Sequence, residues 1–532
     1  MIKKILFGLI FLFAALGLRA QTPVAKWVEL QDFSRLMQGN AAFKAWKGES
    51  LLWPFLMEAT PEIPIKVTLE SGKARISLKT IKLNPIEADL SAGFCGEAKS
   101  IGNFEKVSVP DLAIFQKDNS LILDYSEQWI MLLVEVDAKA KPGLYPIKLH
   151  FDQAGKRYST QANLTILNQA LEKRIGFQID FWQYPNSLAE FHQLKPWSPP
   201  HLEHLKTMWR QLDEIHQGPI TTYAFWDIYN TRIRELDEMM VQVTKRKDGS
   251  FTYNFRNFET YLRLVLKGSP KRQISFHNLF PWNNHFFFWD EESGKIQSIH
   301  TAPGSEEYKA YWTPFLSELH SFLESKGWLD QFVIYFDERD EGETLGLIEW
   351  IKGLHPEFKI GYSGRFDPSL SSMVYDYSMP VNVVLEAQDL SNRKKAGFKT
   401  SLYTSCFETA NQPNFLLSSN YLDIYFLVYL AKSRGYDGIL RWAYNLWSSD
   451  ILNSAIYLDV PSGDAHLVYP NGEVSVRYLV LKDALEDIAK LEARKNSLQV
   501  REMMESLLPY FLLNLENDRW SRVKAMKNFL ND

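Results

Sequence analysis

Two adjacent carboxylates, Asp337 and Glu338, come directly after an apolar stretch at residues 332–336. A pair of carboxylates forms the usual catalytic groups for cleaving a glycosidic bond, one acting as the acid and the other as the nucleophile or base. Acidic residues are also common at the start of helices, where the positive end of the helix dipole favours them. The pair alone therefore leaves a catalytic and a structural explanation open.

The adjacency of the two carboxylates restricts the chemistry. Neighbouring residues on a regular strand point to opposite faces, so the strand must lose its regularity near Asp337 if both are to act together. A retaining pair needs carboxyl groups about 5 Å apart, and an inverting pair needs more. Two adjacent carboxylates fit better the substrate-assisted glycosidases, in which the substrate's own 2-acetamido group is the nucleophile.

Aromatic and acidic residues at other predicted strand ends are candidates for binding a sugar. Trp442 and Tyr444 alternate at the end of one strand and share a face, as do Asp180 and Trp182 at the end of another. Such side chains can form a wall beneath a sugar ring. Packing in the barrel core is the alternative, but the position at the strand ends favours a role in the sugar site.

Further polar candidates follow three other strands. Tyr403 ends one of them and Tyr377 lies within another, and either hydroxyl could donate to an acetamido oxygen, although each also fits a buried structural role. His277, Asn278 and Trp282 lie where a third strand opens into its loop. They could contact sugar hydroxyls, but a lone histidine on a strand is more often structural.

Other types of chemistry find little support. His201 and His204 have a spacing compatible with a metal, but no third ligand is near, so we expect a solvated helix face. The chain contains neither a Gly-x-Ser-x-Gly motif nor a phosphate-binding loop. Cys95 and Cys406 are far apart, so we expect two unpaired thiols, and a metal site made of cysteines is excluded by their number.

The N-terminus indicates where the protein acts, and the charge balance indicates which partners are excluded. Lys3 and Lys4 precede an apolar run at residues 5–18, and Ala20 supplies a small residue for cleavage. This pattern predicts a signal peptide over residues 1–20, too short to span a bilayer, and hence export to the periplasm or cell surface of a bacterium. A net charge of -5 argues against a nucleic-acid partner.

Residues 21–170 are predicted to form an N-terminal β-sandwich. Short alternating or continuous apolar runs, such as 65–69, 74–78 and 129–136, are separated by turns at Gly72, Gly143 and elsewhere. This domain could bind sugar or brace its neighbour, and bracing is the simpler expectation.

Residues 171–475 are predicted to form a catalytic (β/α)₈ barrel of the TIM type, because strands and helices alternate. The predicted strands are residues 176–182, 219–225, 272–278, 332–338, 358–363, 375–379, 399–404 and 438–444. The sixth unit is the least regular, since residues 381–395 have a poor helical pattern. Residues 476–532 are predicted to be a helical C-terminal segment, and the overall fold class is multidomain β plus α/β.

Beyond the pair, several segments resemble glycoside hydrolase family 123, the β-N-acetylgalactosaminidases. The resemblance begins with Asp337-Glu338-Arg339 and extends, in order, over residues 176–450. The similar segments are Asp180-Phe181-Trp182-Gln183-Tyr184-Pro185, Ile220-Thr221-Thr222, Phe280-Pro281-Trp282, Lys326-Gly327-Trp328, Tyr375-Asp376-Tyr377, Tyr403-Thr404-Ser405-Cys406 and Gly438-Ile439-Leu440-Arg441-Trp442-Ala443-Tyr444-Asn445.

The resemblance implies a mechanism. Glu338 would be the general acid and then the base, and Asp337 would orient the acetamido group as its oxygen attacks C1. No metal or organic cofactor is implied. The chain departs from the family at Asp340, where a proline is usual, and at Arg365, in Ser363-Gly364-Arg365 where relatives tend to have Ala-Gly-Asn. Arg365 could contact an acidic or sulfated sugar.

Three functions are therefore considered. The leading one is release of β-linked N-acetylgalactosamine from a glycan or glycoconjugate. The second is the same mechanism on β-linked N-acetylglucosamine or on sulfated or larger glycans. The third is a carbohydrate-binding protein without catalysis, against which the intact Asp337 and Glu338 argue. The oligomeric state is left open by the sequence.

Overall fold

The structure is a computed structural model that describes residues 24–29, 32–37, 41–89, 106–408, 411–457 and 460–532. The predicted signal peptide and Cys95 lie outside the described residues. A search of the described helices finds none with the length and apolar character needed to cross a membrane.

The N-terminal region is rich in β-strands, as predicted. Its strands are β1 (Val24–Glu29), β2 (Asp32–Met37), β3 (Ala41–Lys47), β4 (Ser50–Glu58), β5 (Ile65–Glu70), β6 (Ile76–Asp89), β7 (Lys106–Phe115), β8 (Ser120–Leu121), β9 (Glu127–Val136), β10 (Gly143–Gln153) and β11 (Lys156–Ala170). They form a sheet in the order β2-β1-β4-β9-β6-β7 and a second sheet in the order β3-β11-β10-β5-β8.

An apolar core lies between these two sheets. Phe55 and Ile130 from the first sheet and Val67, Phe151 and Leu164 from the second are fully or almost fully buried in one cluster. Alternating apolar residues on each strand supply this core, because successive side chains point to opposite faces. The other face of the first sheet packs against the core of the second domain.

The second domain is built on a curled sheet of eight parallel strands. In chain order these strands are β12 (Gln178–Phe181), β13 (Ile220–Thr222), β16 (Ile274–Phe276), β19 (Phe332–Asp337), β20 (Lys359–Ser363), β21 (Asp376–Pro380), β22 (Lys399–Tyr403) and β23 (Gly438–Arg441). Their order in the sheet is β12-β23-β22-β21-β20-β19-β16-β13. Backbone hydrogen bonds from Ile179 to residues 216 and 218 connect the first strand to the segment before the second.

All eight predicted strands are present, each shorter than or close to its predicted range. They are buried on both faces, as expected for a parallel sheet covered by helices. The described helices between and beside them are α1 (Pro185–Phe191), α2 (Pro199–Glu214), α3 (Arg256–Leu266), α4 (Glu306–Lys326), α5 (Glu341–Leu354), α6 (Pro368–Ser371), α7 (Ala387–Lys395) and α8 (Tyr421–Ser433).

One feature of the second domain was not predicted. A separate four-stranded sheet in the order β15-β14-β17-β18 is inserted into the loops after β13 and β16. Its strands are β14 (Gln242–Lys245), β15 (Phe251–Asn254), β17 (His285–Asp290) and β18 (Lys295–His300). These long loops carry part of the site described below.

The chain ends in helices that pack on both domains. Strand β24 (Val474–Ser475) pairs with β7 and extends the first N-terminal sheet. It leads directly into α9 (Val476–Ala493), which is followed by α10 (Leu498–Glu505) and α11 (Glu516–Leu530). Apolar residues of α9, such as Leu481, Leu485 and Ile488, are buried in the larger core.

Candidate active site

Asp337 is the last residue of β19 and is held by three donors. It lies opposite Ser363 in the register between β19 and β20, and the Ser363 hydroxyl donates to Asp337 Oδ1 at 2.6 Å. Asp337 Oδ2 accepts from the Tyr229 hydroxyl at 3.2 Å and from Trp282 Nε1 at 3.3 Å. The carboxylate is therefore fixed in place by the end of the neighbouring strand β20 and by two different loops.

The surroundings of Asp337 change its acidity. Burial raises its pKa to about 6, and the neighbouring charge of Glu338 acts in the same direction. The hydrogen bonds from Ser363, Trp282 and Tyr229 favour the charged form and limit the rise. Asp337 is thus mostly ionised at neutral pH and titrates at mildly acidic pH.

The backbone at Glu338 resolves the difficulty of two adjacent carboxylates. Its φ of +43° is left-handed, a conformation that is uncommon for residues other than glycine and ends the alternation of the strand. The Glu338 amide donates to the carbonyl of Ser363 at 2.8 Å, which holds this turn. Tyr403, at the end of β22, donates its hydroxyl to Glu338 Oε1.

Both carboxylates consequently open on one cavity of about 360 Å³. This volume is within the range of sites for small ligands. The cavity lies at the carboxyl ends of the strands, where parallel barrels place their active sites. Its lining consists of Trp182, Tyr229, Trp282, Asp337, Glu338, Ser363, Tyr403, Thr404, Ser405, Cys406, Phe407, Leu440 and Trp442.

Four predicted binding residues are in this lining: Trp182, Trp282, Tyr403 and Trp442. Trp182 is fully buried, whereas Trp282 is about half exposed at the rim. Trp442 donates Nε1 to Asp464 Oδ2 at 2.9 Å, and this bond fixes its ring. The cavity therefore combines aromatic walls with two carboxylates, which suits a sugar with apolar faces and polar edges.

His277 and Asp180 lie beneath the cavity and are not part of its described lining. His277 is buried between the rings of Trp182 and Tyr335, at centroid distances of 4.7 and 5.1 Å. Burial lowers its pKa to about 3, so it is neutral. Burial, reinforced by the charge of Asp376, raises the pKa of Asp180 well above its usual value. Both contribute to the interior of the sheet.

Asn278 is a structural residue of the neighbouring loop and not a contact in the described lining. Its amide group accepts from the backbone of Ala224 and donates to the carbonyl of Asp227 at 2.7 Å and to the side chain of Asn230. These bonds shape the loop that delivers Tyr229 to Asp337. Asn278 thus acts on the site through another residue.

Tyr377, Arg365 and Tyr444 also lie outside the described lining. The Tyr377 hydroxyl donates to the carbonyl of Arg365 at 2.6 Å and accepts from the amide of Asp367 at 3.0 Å. Arg365 itself is exposed. Tyr444 is fully buried. Strand β23 ends at Arg441, so the strand alternation that was expected to place Tyr444 and Trp442 on one face stops before both residues.

Two secondary expectations are wrong. His201 is not on a solvated face: it is fully buried, accepts from the amide of Trp197 at 2.8 Å and contacts the carbonyl of Pro185. Cys406 is not a free thiol, because it is disulfide-bonded. The chain has one other cysteine, Cys95, which lies outside the described residues.

Sequence reasoning missed Tyr229, Ser363 as a partner of Asp337, and the segment 404–407 as cavity wall. Tyr229 follows β13 in a long loop without a regular pattern, so no spacing indicated its direction. Ser363 could have been found, because it ends the strand adjacent to Asp337 in the predicted sheet. Asp464, which holds both Trp442 and Arg441, lies in a loop distant in sequence.

Comparison with known proteins gives one strong family match. The family model described as glycoside hydrolase 123, catalytic domain, matches residues 182–494, more than half of the chain. A search of curated proteins gives no match.

Among solved structures, a family 123 glycoside hydrolase from Clostridium perfringens, described in connection with glycolipid glycan hydrolysis, is similar with a TM-score of 0.82 and 20% identity. The match covers 96% of this chain and 98% of that one. A β-glucuronidase from Parabacteroides merdae gives a TM-score of 0.30 at 8% identity, covering 81% and 50% of the two chains.

Proposed function

Because this chain belongs to glycoside hydrolase family 123 and is a glycoside hydrolase, we propose that it releases β-linked N-acetylgalactosamine with retention of configuration. In this proposal the nucleophile is the 2-acetamido group of the substrate. The observation that carries the proposal is the left-handed turn at Glu338, through which two adjacent carboxylates open on a single cavity.

Asp337 is suited to orient the acetamido group. Its carboxylate is held by three donors and keeps further lone-pair capacity for the acetamido N–H. As the acetamido oxygen attacks C1, positive charge develops on the nitrogen, and the nearby carboxylate stabilises it. The product of this step is a cyclic oxazoline-type intermediate.

Glu338 is suited to transfer the protons. It gives a proton to the leaving glycosidic oxygen as the bond to C1 breaks, and then removes a proton from the water that opens the intermediate. Water attacks from the face that the leaving group has vacated, so two inversions give net retention. Tyr403, in contact with Glu338 Oε1, positions this carboxyl group.

The position of the site supports the same assignment. We infer that the eight-stranded sheet is a TIM-type barrel, supported by the backbone bonds between Ile179 and residues 216 and 218. In such barrels, catalytic groups lie at the carboxyl ends of the strands. Trp182 and Trp442 would then line the sugar from below and from the side.

The natural substrate and the location of the enzyme are also part of the proposal. The preference for N-acetylgalactosamine over N-acetylglucosamine follows the family, and the description of the C. perfringens enzyme makes glycolipid glycans the first natural substrates to test. Export is supported by the signal pattern at residues 1–20. Cell fractionation that found the full-length chain only in the cytoplasm would contradict it.

The direct experiment measures hydrolysis of aryl β-N-acetylgalactosaminide and aryl β-N-acetylglucosaminide. We expect the wild type to cleave the first faster than the second, and a thiazoline analogue of the sugar to inhibit. Glu338→Gln should lose most activity on an unactivated glycan and less on the aryl glycoside, whose leaving group needs little protonation. Asp337→Asn should lose activity on both substrates.

Glu343→Gln is the matched control, because Glu343 is an exposed carboxylate in the first turn of α5, outside the described lining of the cavity. Its activity should equal that of the wild type. Absence of hydrolysis of both sugars by the wild type would exclude the proposed substrates, and full activity of Glu338→Gln on the unactivated glycan would exclude the proposed acid.

A further inference from the structure

Three potential metal ligands meet on the side of the second domain away from the cavity. His320 lies near the end of α4, His355 directly follows α5, and Glu357 is in the loop that leads to β20. Helices α4 and α5 return the chain to the starting ends of β19 and β20. The three residues therefore lie at the opposite ends of these strands from Asp337.

The three side chains are close enough to share one ion. One ligand atom of each lies within 4.8 Å of the others. The imidazoles of His320 and His355 are stacked with centroids 4.4 Å apart, and His320 Nε2 is 3.5 Å from Glu357 Oε2. Among the described residues, His320 Nε2 is a buried atom without a hydrogen-bond partner.

A buried nitrogen without a hydrogen bond is costly, and a metal ion would satisfy it. Zinc binds histidine and carboxylate ligands at about 2.0–2.2 Å, so tetrahedral ligands lie about 3.3 Å apart. The Glu357 side chain is 55% exposed and can rotate to close the remaining distance. The Ser317 hydroxyl forms a hydrogen bond with His355 Nε2 at 3.3 Å. Hydrogen bonds of this kind orient the imidazole rings of metal-binding histidines.

We propose that His320, His355 and Glu357 bind a zinc ion that clamps α4 to the loop between α5 and β20. Two imidazoles and one carboxylate favour zinc over magnesium or calcium, which prefer oxygen ligands. Three protein ligands leave a fourth position for water. Lys352, which donates to the carbonyl of Pro356 at 2.9 Å, adds positive charge near Glu357.

The test is calorimetric titration of the full chain with zinc chloride after removal of metals with a chelator. We expect one zinc ion per chain and a higher midpoint of thermal unfolding, because a ligand that binds only the folded state stabilises it. His320→Gln and Glu357→Gln should each weaken binding at least tenfold. Glu357→Gln alters a half-exposed side chain, so it reports on binding even if the histidine variant folds poorly.

His150→Gln is the control, because His150 forms a similar pair with Glu70 at 3.3 Å on the N-terminal domain but belongs to no three-ligand group among the described residues. Its zinc binding should match the wild type. Magnesium in place of zinc should give no stabilisation. Failure of the wild type to bind zinc, or equal binding by wild type and both ligand variants, would overturn the proposal.

Discussion

At the residue scale, the site depends on a single backbone conformation. The sequence predicted Asp337 and Glu338 as a pair and indicated that the strand must lose its regularity there. It could not give the form of the irregularity, which is the left-handed φ of Glu338 held by the carbonyl of Ser363. Local sequence propensity does not predict such a turn. A positive φ is unfavourable for glutamate by itself, and it is the neighbouring strand that stabilises it here.

The acidity of Asp337 predicts the acidic limit of activity. Its pKa of about 6 is above the ordinary value of 3.8, so the carboxylate form that orients the substrate is lost as the pH falls through 6. We expect kcat/KM to fall about tenfold per pH unit below this value. The Ser363→Ala variant lacks a hydrogen bond to the charged form of Asp337. The acidic limb of its pH profile, where kcat/KM falls, should therefore move to higher pH by about one pH unit, equivalent to about 1.4 kcal/mol.

Ser378→Ala is the control for this pH profile, since Ser378 pairs with Ser363 in the next strand and its buried hydroxyl has no hydrogen-bond partner among the described residues. The profile of this variant should overlay that of the wild type. An acidic limb that stays in place in Ser363→Ala would show that Asp337 does not set it.

Tyr403→Phe should lower kcat/KM by about 10- to 100-fold, or about 1.4–2.7 kcal/mol. The hydroxyl contacts Glu338 directly, and its loss leaves that carboxyl group free to turn away. Tyr377→Phe is the matched control, because within the described part of the chain its hydroxyl bonds only to the backbone of the loop at 365–367. Steady-state kinetics of both variants decide between the two tyrosines, and equal losses would contradict the assignment.

At the element scale, strands were predicted more reliably than loops. The eight parallel strands are short apolar runs between helices, and this pattern is local. The inserted sheet of β14, β15, β17 and β18 interrupts the alternation, and its strands are partly exposed, so their pattern is weak. For the same reason the sequence did not predict where the loop that carries Tyr229 lies. Asn278, which shapes this loop, was predicted as a possible contact to sugar hydroxyls and not as a residue that holds the loop.

Asn278→Ala should uncouple this loop from the sheet. The variant loses bonds to residues 224, 227 and 230, and alanine is strained at the φ of +90° found there. We expect a loss of about 2–4 kcal/mol in the free energy of unfolding and a lower kcat/KM, because Tyr229 no longer holds Asp337.

Asn278→Gly separates the two effects. Glycine accepts a positive φ, so part of the stability should return in urea denaturation while kcat/KM stays low. If activity returns together with stability, Asn278 has no positioning role and only its backbone conformation matters.

At the scale of the whole molecule, buried ion pairs join the N-terminal sheets to the C-terminal helices. Arg477 of α9 donates to both oxygens of Asp111 on β7, and both side chains are almost fully buried. Lys490 of the same helix pairs with the buried Glu49. The sequence predicted each segment separately but could not pair residues several hundred positions apart, because such contacts are set by the packing of the complete chain.

Asp111→Asn should destabilise the protein by about 3–5 kcal/mol, because it leaves a buried guanidinium without its counter-charge. Urea denaturation measures this loss. Asp137→Asn is the control: Asp137 pairs with Arg75 at 2.8 Å on the surface, where water and salt screen the pair, so the variant should unfold at nearly the same urea concentration as the wild type. Equal effects of the two substitutions would show that the junction does not depend on the buried pair.

In the proposed reaction the substrate's acetamido group, and not a residue of the enzyme, attacks C1. The most direct measurement is kcat/KM for aryl β-N-acetylgalactosaminides whose acetyl methyl group carries zero, one, two or three fluorines. Each fluorine makes the carbonyl oxygen a poorer nucleophile, so we expect a steep, progressive fall in kcat/KM along the series. A rate that is independent of fluorination would contradict it, because an enzyme nucleophile would not sense the acetamido oxygen.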